Sequence, residues 1–206
     1  MRKKYQLPVY AELKDIKINL KKLQNEALAF AHKYIDVEEA NVGLCDNHKV
    51  LVSQVYKNFE QINLTELNGE VIPYTDSIKE RLRRGEEKLY NKPTEDYLNS
   101  YFKEITDQFV CDKMRVRITK LDPGSTIPFH IDYDPTYAVR IIVPIHTDIR
   151  VTNLFKVKGE RITTYLEEGK AYFLNVGFAH AVYNNSDQPR IALMFSLDGQ
   201  DDIDHL

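Results

Sequence analysis

His130-Ile131-Asp132, His180 placed 48 residues after that aspartate, and Arg190 ten residues further on are the residues of this chain whose types and spacing could do chemistry. Two imidazoles and one carboxylate can occupy one face of a divalent metal and leave the opposite positions open, which is the facial arrangement of a non-haem ferrous centre. Alternate side chains of an extended strand share a face, so His130 and Asp132 would reach one ion together while Ile131 turns into the opposite layer. His180 must then arrive on a second strand laid alongside, as in a β-barrel or jelly roll that pairs strands distant in sequence. Arg190 opens the apolar run Ile191-Ala192-Leu193-Met194-Phe195-Ser196-Leu197, where a guanidinium needs a partner or a route to water. A dicarboxylate co-substrate would be such a partner, gripped by a bidentate fork that lysine cannot reproduce.

Other residues compete for these roles. Asp134 would also share the face of His130, but Pro135 restricts its backbone in a way that fits a turn leaving the strand, which favours Asp132. Arg115 and Arg117 alternate with Met114, Val116 and Ile118; an exposed sheet face is the simpler reading, a grip on a substrate carboxylate the alternative. Tyr133, Tyr137, Tyr172 and Asn175 either line a pocket or are strand aromatics and a turn amide. The isolated His32, His48, His146 and His205 read as structural histidines.

The elements that must position the candidate ligands fall into two halves. From Tyr10 to about Tyr34, apolar residues interleave with lysines at mostly helical spacing and predict an amphipathic helix. Val50 to Ile62 fits either a helix or a strand, and the mixed charges of Ser77 to Tyr90 suggest a solvated helix or flexible segment. Thr94 can cap a helix whose stripe is Tyr97, Tyr101, Phe102, Ile105 and Phe109, and that helix should brace the β core. After Cys111 the texture changes to strands. Ala138 to Ile145 and Arg190 to Leu197 are continuously apolar, as strands covered on both faces should be. Turn signals at Asp122-Pro123-Gly124, Val157-Lys158-Gly159, Glu167-Glu168-Gly169 and Asn184-Asn185-Ser186-Asp187 cut this half into short strands, the mark of a barrel or sandwich.

Length and charge bound the possibilities. The 206 residues suit one domain, divided into a largely helical part over 1–111 that braces a β core over 112–200. A net charge of -3 gives no electrostatic case for a nucleic-acid or membrane partner. Cys45 and Cys111 lack the spacing of a zinc ribbon or disulfide framework. No stretch approaches the ~18 apolar residues of a membrane span, and no signal-peptide pattern opens the chain, so a cytoplasmic protein is expected.

The order His-x-Asp, long gap, His, then Arg about ten residues on resembles the 2-oxoglutarate- and Fe(II)-dependent dioxygenases. The surrounding text is similar to the aspartyl/asparaginyl β-hydroxylase family, including its bacterial and phage-type members. The resemblance is carried by Arg117-Ile118-Thr119-Lys120-Leu121-Asp122-Pro123-Gly124, Arg140-Ile141-Ile142-Val143-Pro144-Ile145, Glu168-Gly169-Lys170-Ala171-Tyr172 and His180-Ala181-Val182-Tyr183-Asn184-Asn185, within roughly residues 112–200. It implies a mostly β fold with N-terminal helices, built on a double-stranded β-helix (jelly roll, cupin-like). It also implies an enzyme that couples decarboxylation of 2-oxoglutarate to oxidation of a second substrate, with Fe(II), 2-oxoglutarate and O2 as its requirements. Carried over by position, His130, Asp132 and His180 match the iron ligands and Arg190 the arginine on the distal carboxylate of 2-oxoglutarate. Arg140 sits where the family has a second arginine near the co-substrate or substrate; the plainer reading is a paired strand arginine.

Two departures qualify the resemblance. Animal protein hydroxylases of the family lack the metal-binding carboxylate that Asp132 supplies here, which brings this chain nearer the bacterial small-substrate enzymes. Asp132 also argues against the halogenating relatives, which have a small residue there. Many 2-oxoglutarate enzymes have a serine two residues after the arginine, where this chain has Ala192. The implied reaction is hydroxylation of an unactivated C–H bond in an amino acid, or in an Asp or Asn residue of a peptide or protein. Two rivals use the same residues: a cupin-like metal-dependent isomerase or hydrolase, for which Arg190 has no obvious use, and a non-catalytic module binding a metal or small ligand.

Overall fold

A computed structural model describes residues 1–36, 58–69 and 87–206. Eight strands follow one another after Cys111: β6 (Lys113–Leu121), β7 (Thr126–His130), β8 (Val139–His146), β9 (Val151–Val157), β10 (Glu160–Thr164), β11 (Tyr172–Leu174), β12 (Ala179–Asn184) and β13 (Arg190–Leu197). They are dealt between two antiparallel sheets. The smaller has the order β10-β9-β12-β7, and the larger contains β11-β8-β13-β6. Two four-stranded sheets filled in this interleaved order are a double-stranded β-helix, the expected fold.

Turn chemistry sets the breaks. Lys158 and Gly159, at φ 51° and 89°, make the tight β9–β10 hairpin. Gly169 turns at φ 70° before β11, and a Cβ there would come within 3.1 Å of the Leu20 side chain. The continuously apolar segments are indeed covered on both faces. On β8, Val139, Ile141, Val143 and Ile145 join one buried cluster and Ile142 another, and on β13 Leu193, Phe195 and Leu197 lie opposite Ala192 in the same way.

The N-terminal half differs from the periodicity reading. In place of one helix from Tyr10 to Tyr34 it forms β1 (Tyr10–Glu12), α1 (Leu20–Ala29) and a 3-10 turn. Apolar residues at Leu13, Ile16 and Ile18 pack while the chain crosses the core edge in irregular structure, a tertiary outcome that spacing alone cannot distinguish from helix. Strand β1 pairs with β11, β2 (Ile35–Asp36) and β3 (Phe59–Asn63) extend the sheet past β6 to seven strands, and β4 (Thr65–Glu66) pairs with β5 (Lys92–Pro93) apart from it. The end of the Val50–Ile62 segment is therefore strand, and its first part lies outside the described residues. So does most of Ser77–Tyr90. The expected helix after Thr94 is split into α2 (Glu95–Leu98) and α3 (Tyr101–Thr106), because Ser100 acts as a second cap and accepts from the Lys103 amide as Thr94 does from the Tyr97 amide. Helices α1 and α3 cover the outer face of the large sheet through Leu23, Ala27, Phe102 and Ile105. Among the described residues no helix is long and apolar enough to cross a membrane.

This layering leaves a barrel interior between the two sheets. Residues of even number on β8, β11 and β13, and Arg117, Thr119 and Leu121 on β6, face it.

Candidate metal centre

His130 ends β7 and His180 begins β12, and the two strands pair with these residues directly opposite one another. The rings lie 4.2 Å apart between centroids. Asp132 lies just past the strand end, its amide donating to the Val176 carbonyl at 3.1 Å. Its two oxygens are 3.6 Å from His130 Nε2 and 4.0 Å from His180 Nε2, and one ligand atom from each of the three residues lies within 4.8 Å of the others. Ile131 does not turn into a packed layer: it is 55% exposed, because this end of the small sheet has solvent on its outer side.

The donor set fits a divalent ion in detail. His130 Nδ1 lies 2.8 Å from the Pro128 carbonyl and His180 Nδ1 lies 3.0 Å from that of Phe178. A carbonyl can only accept, so each Nδ1 carries the proton and each Nε2 turns a lone pair toward Asp132. Burial first, then the neighbouring His130, pushes His180 down to about 4, which keeps its ring in the neutral form that ligation needs. Burial works to raise the Asp132 carboxyl, but Arg140 above all, then His180 and His130, holds it below its usual range. Asp134 is otherwise engaged: its Oδ1 accepts from the Thr136 amide and hydroxyl and its Oδ2 from the Lys4 amide.

Behind Asp132 lies a buried polar network. Arg140 Nη2 reaches Asp132 at 3.4 Å and Glu87 at 3.3 Å, and its Nε donates to the Tyr133 hydroxyl at 2.9 Å. Glu87 also pairs with Arg115 at 2.8 Å and accepts from Ser196 at 2.8 Å, and Ser196 is 2.6 Å from Tyr133. Burial would raise the Glu87 carboxyl, yet Arg115, Arg140 and Arg117 together bring it down to about 2. Glu87 and Ser196 escaped the sequence reading. Glu87 stands in a run of charges that reads as solvated, yet it is 5% exposed. Ser196 alone left a trace, as the one hydroxyl on the inward-facing positions of an apolar strand.

Arg115 and Arg117 also depart from expectation. A bulge at Arg115 (φ 48°) shifts the β6–β13 register, and the face these arginines occupy is the barrel interior, with Arg117 only 6% exposed. At the far end Arg190 is 5% exposed, and its one hydrogen bond among the described residues goes to the Thr119 hydroxyl at 3.2 Å. Among the described residues no carboxylate offsets its burial, which brings it down to about 10. Tyr172 and Asn175 are both tied to the backbone. The Tyr172 hydroxyl accepts from the Glu167 amide, and Asn175 donates to the Lys4 and Pro8 carbonyls.

A family profile described as aspartyl/asparaginyl beta-hydroxylase matches residues 91–199, more than half of the chain. The chain belongs to that family. It is therefore an enzyme of the hydroxylase class, and the matched span contains His130, Asp132, His180, Arg140 and Arg190. Among curated proteins none matches the chain. Similar solved structures include an oxidoreductase of the 2OG-Fe(II) oxygenase family from Burkholderia pseudomallei, 11% identical over 88% of this chain and 92% of that one, with a TM-score of 0.43. A cupin domain from Bordetella pertussis is 21% identical over 45% of this chain and 88% of its own, with a TM-score of 0.34. Hazelnut (Corylus avellana) vicilin is 18% identical over 48% of this chain, a match that spans 27% of the vicilin, with a TM-score of 0.35. Scores this low leave the fold assignment to the strand order itself.

Proposed function

We propose that the family member is a 2-oxoglutarate- and Fe(II)-dependent dioxygenase that hydroxylates an unactivated C–H bond of an amino acid, or of an Asp or Asn residue in a peptide. The observation that carries this reading is the pairing of two features in one barrel: a His-Asp-His set with both imidazole tautomers fixed, and a buried Arg190 with no carboxylate among the described residues. A cupin-like isomerase or hydrolase needs the first feature but has no use for the second.

His130, Asp132 and His180 would hold the ion on one face. When bound, ferrous iron supplies the activation of O2, with 2-oxoglutarate giving succinate and CO2 as the electrons are drawn from it. The chain does the rest. Arg190 would take the distal carboxylate of 2-oxoglutarate, and Thr119 supplies the hydroxyl that Ala192 lacks: the two residues are register partners, so Thr119 stands across the strand from the expected serine position. Arg140 has two carboxylates and a phenol on Nε and Nη2; it orients Asp132, and its Nη1, which has no protein partner among the described residues, is the nitrogen left for a ligand.

The test is direct. Protein loaded with Fe(II) under anaerobic conditions, then given 2-oxoglutarate, O2 and a panel of amino acids and Asp- or Asn-containing peptides, should form succinate and a product heavier by one oxygen. Iron binding with no 2-oxoglutarate consumed across the panel would overturn the oxygenase reading in favour of a binding module.

A further inference from the structure

The three candidate ligands are held in two different ways. His130 and His180 are register partners on paired strands, so the sheet itself sets their spacing. Asp132 lies in the stretch 131–138 between β7 and β8, which belongs to no strand. Its amide donates to the Val176 carbonyl at 3.1 Å, in the turn between β11 and β12. A stretch without ladder bonds keeps one conformation only if other contacts offset its backbone entropy.

Those contacts come largely from residues 2–9 and from Gln200. The Lys4 amide donates to Asp134 Oδ2 at 3.3 Å, and Lys4 Nζ donates to the Gly177 carbonyl at 2.8 Å. Gln200, 4% exposed, accepts from the Arg2 amide at 2.6 Å and donates to the Arg2 carbonyl at 2.7 Å and the Pro135 carbonyl at 3.0 Å. Asn175, fully buried beside Val176, donates its side-chain amide to the Lys4 and Pro8 carbonyls at 2.9 and 3.1 Å, and its backbone amide to the Val9 carbonyl at 2.9 Å. Leu7 anchors the segment in the core cluster that contains Leu23 and Phe102.

Three pieces of chain meet at Gly177. A Cβ there would lie 3.1 Å from Lys4 Cδ, 3.1 Å from the Tyr133 carbonyl oxygen and 3.3 Å from Asp134 Cα, so this close approach leaves no room for a side chain. We infer that residues 2–9 form a strap that positions Asp132, with Lys4, Asn175 and Gln200 as positioning residues: the sheet sets the two imidazoles and the strap sets the carboxylate. Lys4 and Gln200 hold the stretch just after Asp132, and Asn175 holds the turn whose Val176 carbonyl takes the Asp132 amide. Residues 2–9 and Gln200 lie outside the matched span 91–199, so this support is additional to it. The inference rests on the ligand set of the proposed function and adds what fixes its third member.

The test reads binding of cobalt(II), a spectroscopic stand-in for Fe(II), by anaerobic titration without co-substrate. Lys4→Pro combined with Gln200→Leu removes the hydrogen bonds from the strap to the stretch. Proline suits position 4, because it opens a 3-10 helix and Lys3 before it is already extended at φ -76° and ψ 163°. The double variant should bind cobalt(II) about ten- to a hundredfold more weakly, the range for residues that support a ligand, and its visible spectrum should move to that of Asp132→Ala. In an Asp132→Ala background the same two substitutions should change the affinity by less than about twofold, because the ligand they act through is gone. Equal weakening in both backgrounds would make the strap a general support of the fold and overturn the inference, as would unchanged affinity in the double variant. Should that variant fail to fold, Lys4→Pro is compared with Lys4→Ala, which also lacks the ammonium but keeps the backbone amide. Weaker binding by the proline variant is then expected, and equal binding overturns the inference. An error in the ligand set shows separately, as an Asp132→Ala protein that binds cobalt(II) as tightly as wild type.

Discussion

Two arginines of the same barrel, Arg140 and Arg190, are buried to the same degree and treated oppositely. Arg140, 4% exposed, faces Glu87, Asp132 and the Tyr133 hydroxyl, which outweigh the effect of burial and raise its affinity for the proton above the ordinary. Arg190, 5% exposed, has one threonine hydroxyl as its partner among the described residues, and burial lowers it. The first guanidinium spends Nε and Nη2 inside the protein, where they hold Tyr133, Glu87 and the candidate ligand Asp132. The second has no carboxylate partner among the described residues, which is expensive for folding and is what the proposed anion site requires. Unequal treatment of like residues separates scaffold from binding site more clearly than burial does.

The comparison can be broken most severely at the ligands. His130→Ala combined with His180→Ala should reduce Fe(II) affinity by well over a hundredfold, beyond the 10–100-fold typical of residues that only support ligands, as read by anaerobic iron stoichiometry. Iron retained by that variant would refute the ligand assignment.

Stability sharpens it next. Glu87→Ala strands Arg140 and Arg115 and should destabilise the fold by about 3–5 kcal/mol in urea unfolding. Arg190→Met removes a charge with no counter-ion among the described residues, so it should stabilise the ligand-free protein by about 1–3 kcal/mol and abolish 2-oxoglutarate binding. If both substitutions destabilise alike, the two arginines are not different in kind. In the same vein, Glu87 contributes stability through a carboxyl depressed from 4.5 to about 2. A depressed acid stabilises fully above the unfolded value and loses that contribution as pH falls, so unfolding midpoints should drop between about pH 4.5 and 2, and less so in Glu87→Gln.

Smaller effects probe the co-substrate end. Arg190→Lys keeps charge but not the fork, and should weaken 2-oxoglutarate roughly ten- to a hundredfold by calorimetry with iron still bound. Thr119→Val deletes one hydroxyl from Arg190 and should weaken it only a few-fold, about 1 kcal/mol. A Thr119→Val effect as large as that of Arg190→Lys would make the hydroxyl the main anchor.

The sequence by itself determined the strand half of the fold and the identities of the residues at the centre. Period-two alternation, doubly apolar strands and Gly or Asn-Asn turns are local properties, and they mark β8, β13 and the hairpins where the structure has them. His130 and Asp132 share a face for the same local reason, and Pro135 diverts Asp134 into a turn. Tertiary structure decided what those residues face. Whether Arg117 points to solvent or into the barrel depends on which side of β6 receives the helices, and its alternation with apolar residues is the same in both cases. Glu87 is read as solvated because its partners Arg115, Arg140 and Ser196 are 28, 53 and 109 residues away, and only the closed barrel brings them to one buried point. Charge is written in the sequence, but its compensation is a property of distance and dielectric, which exist only once the chain has folded.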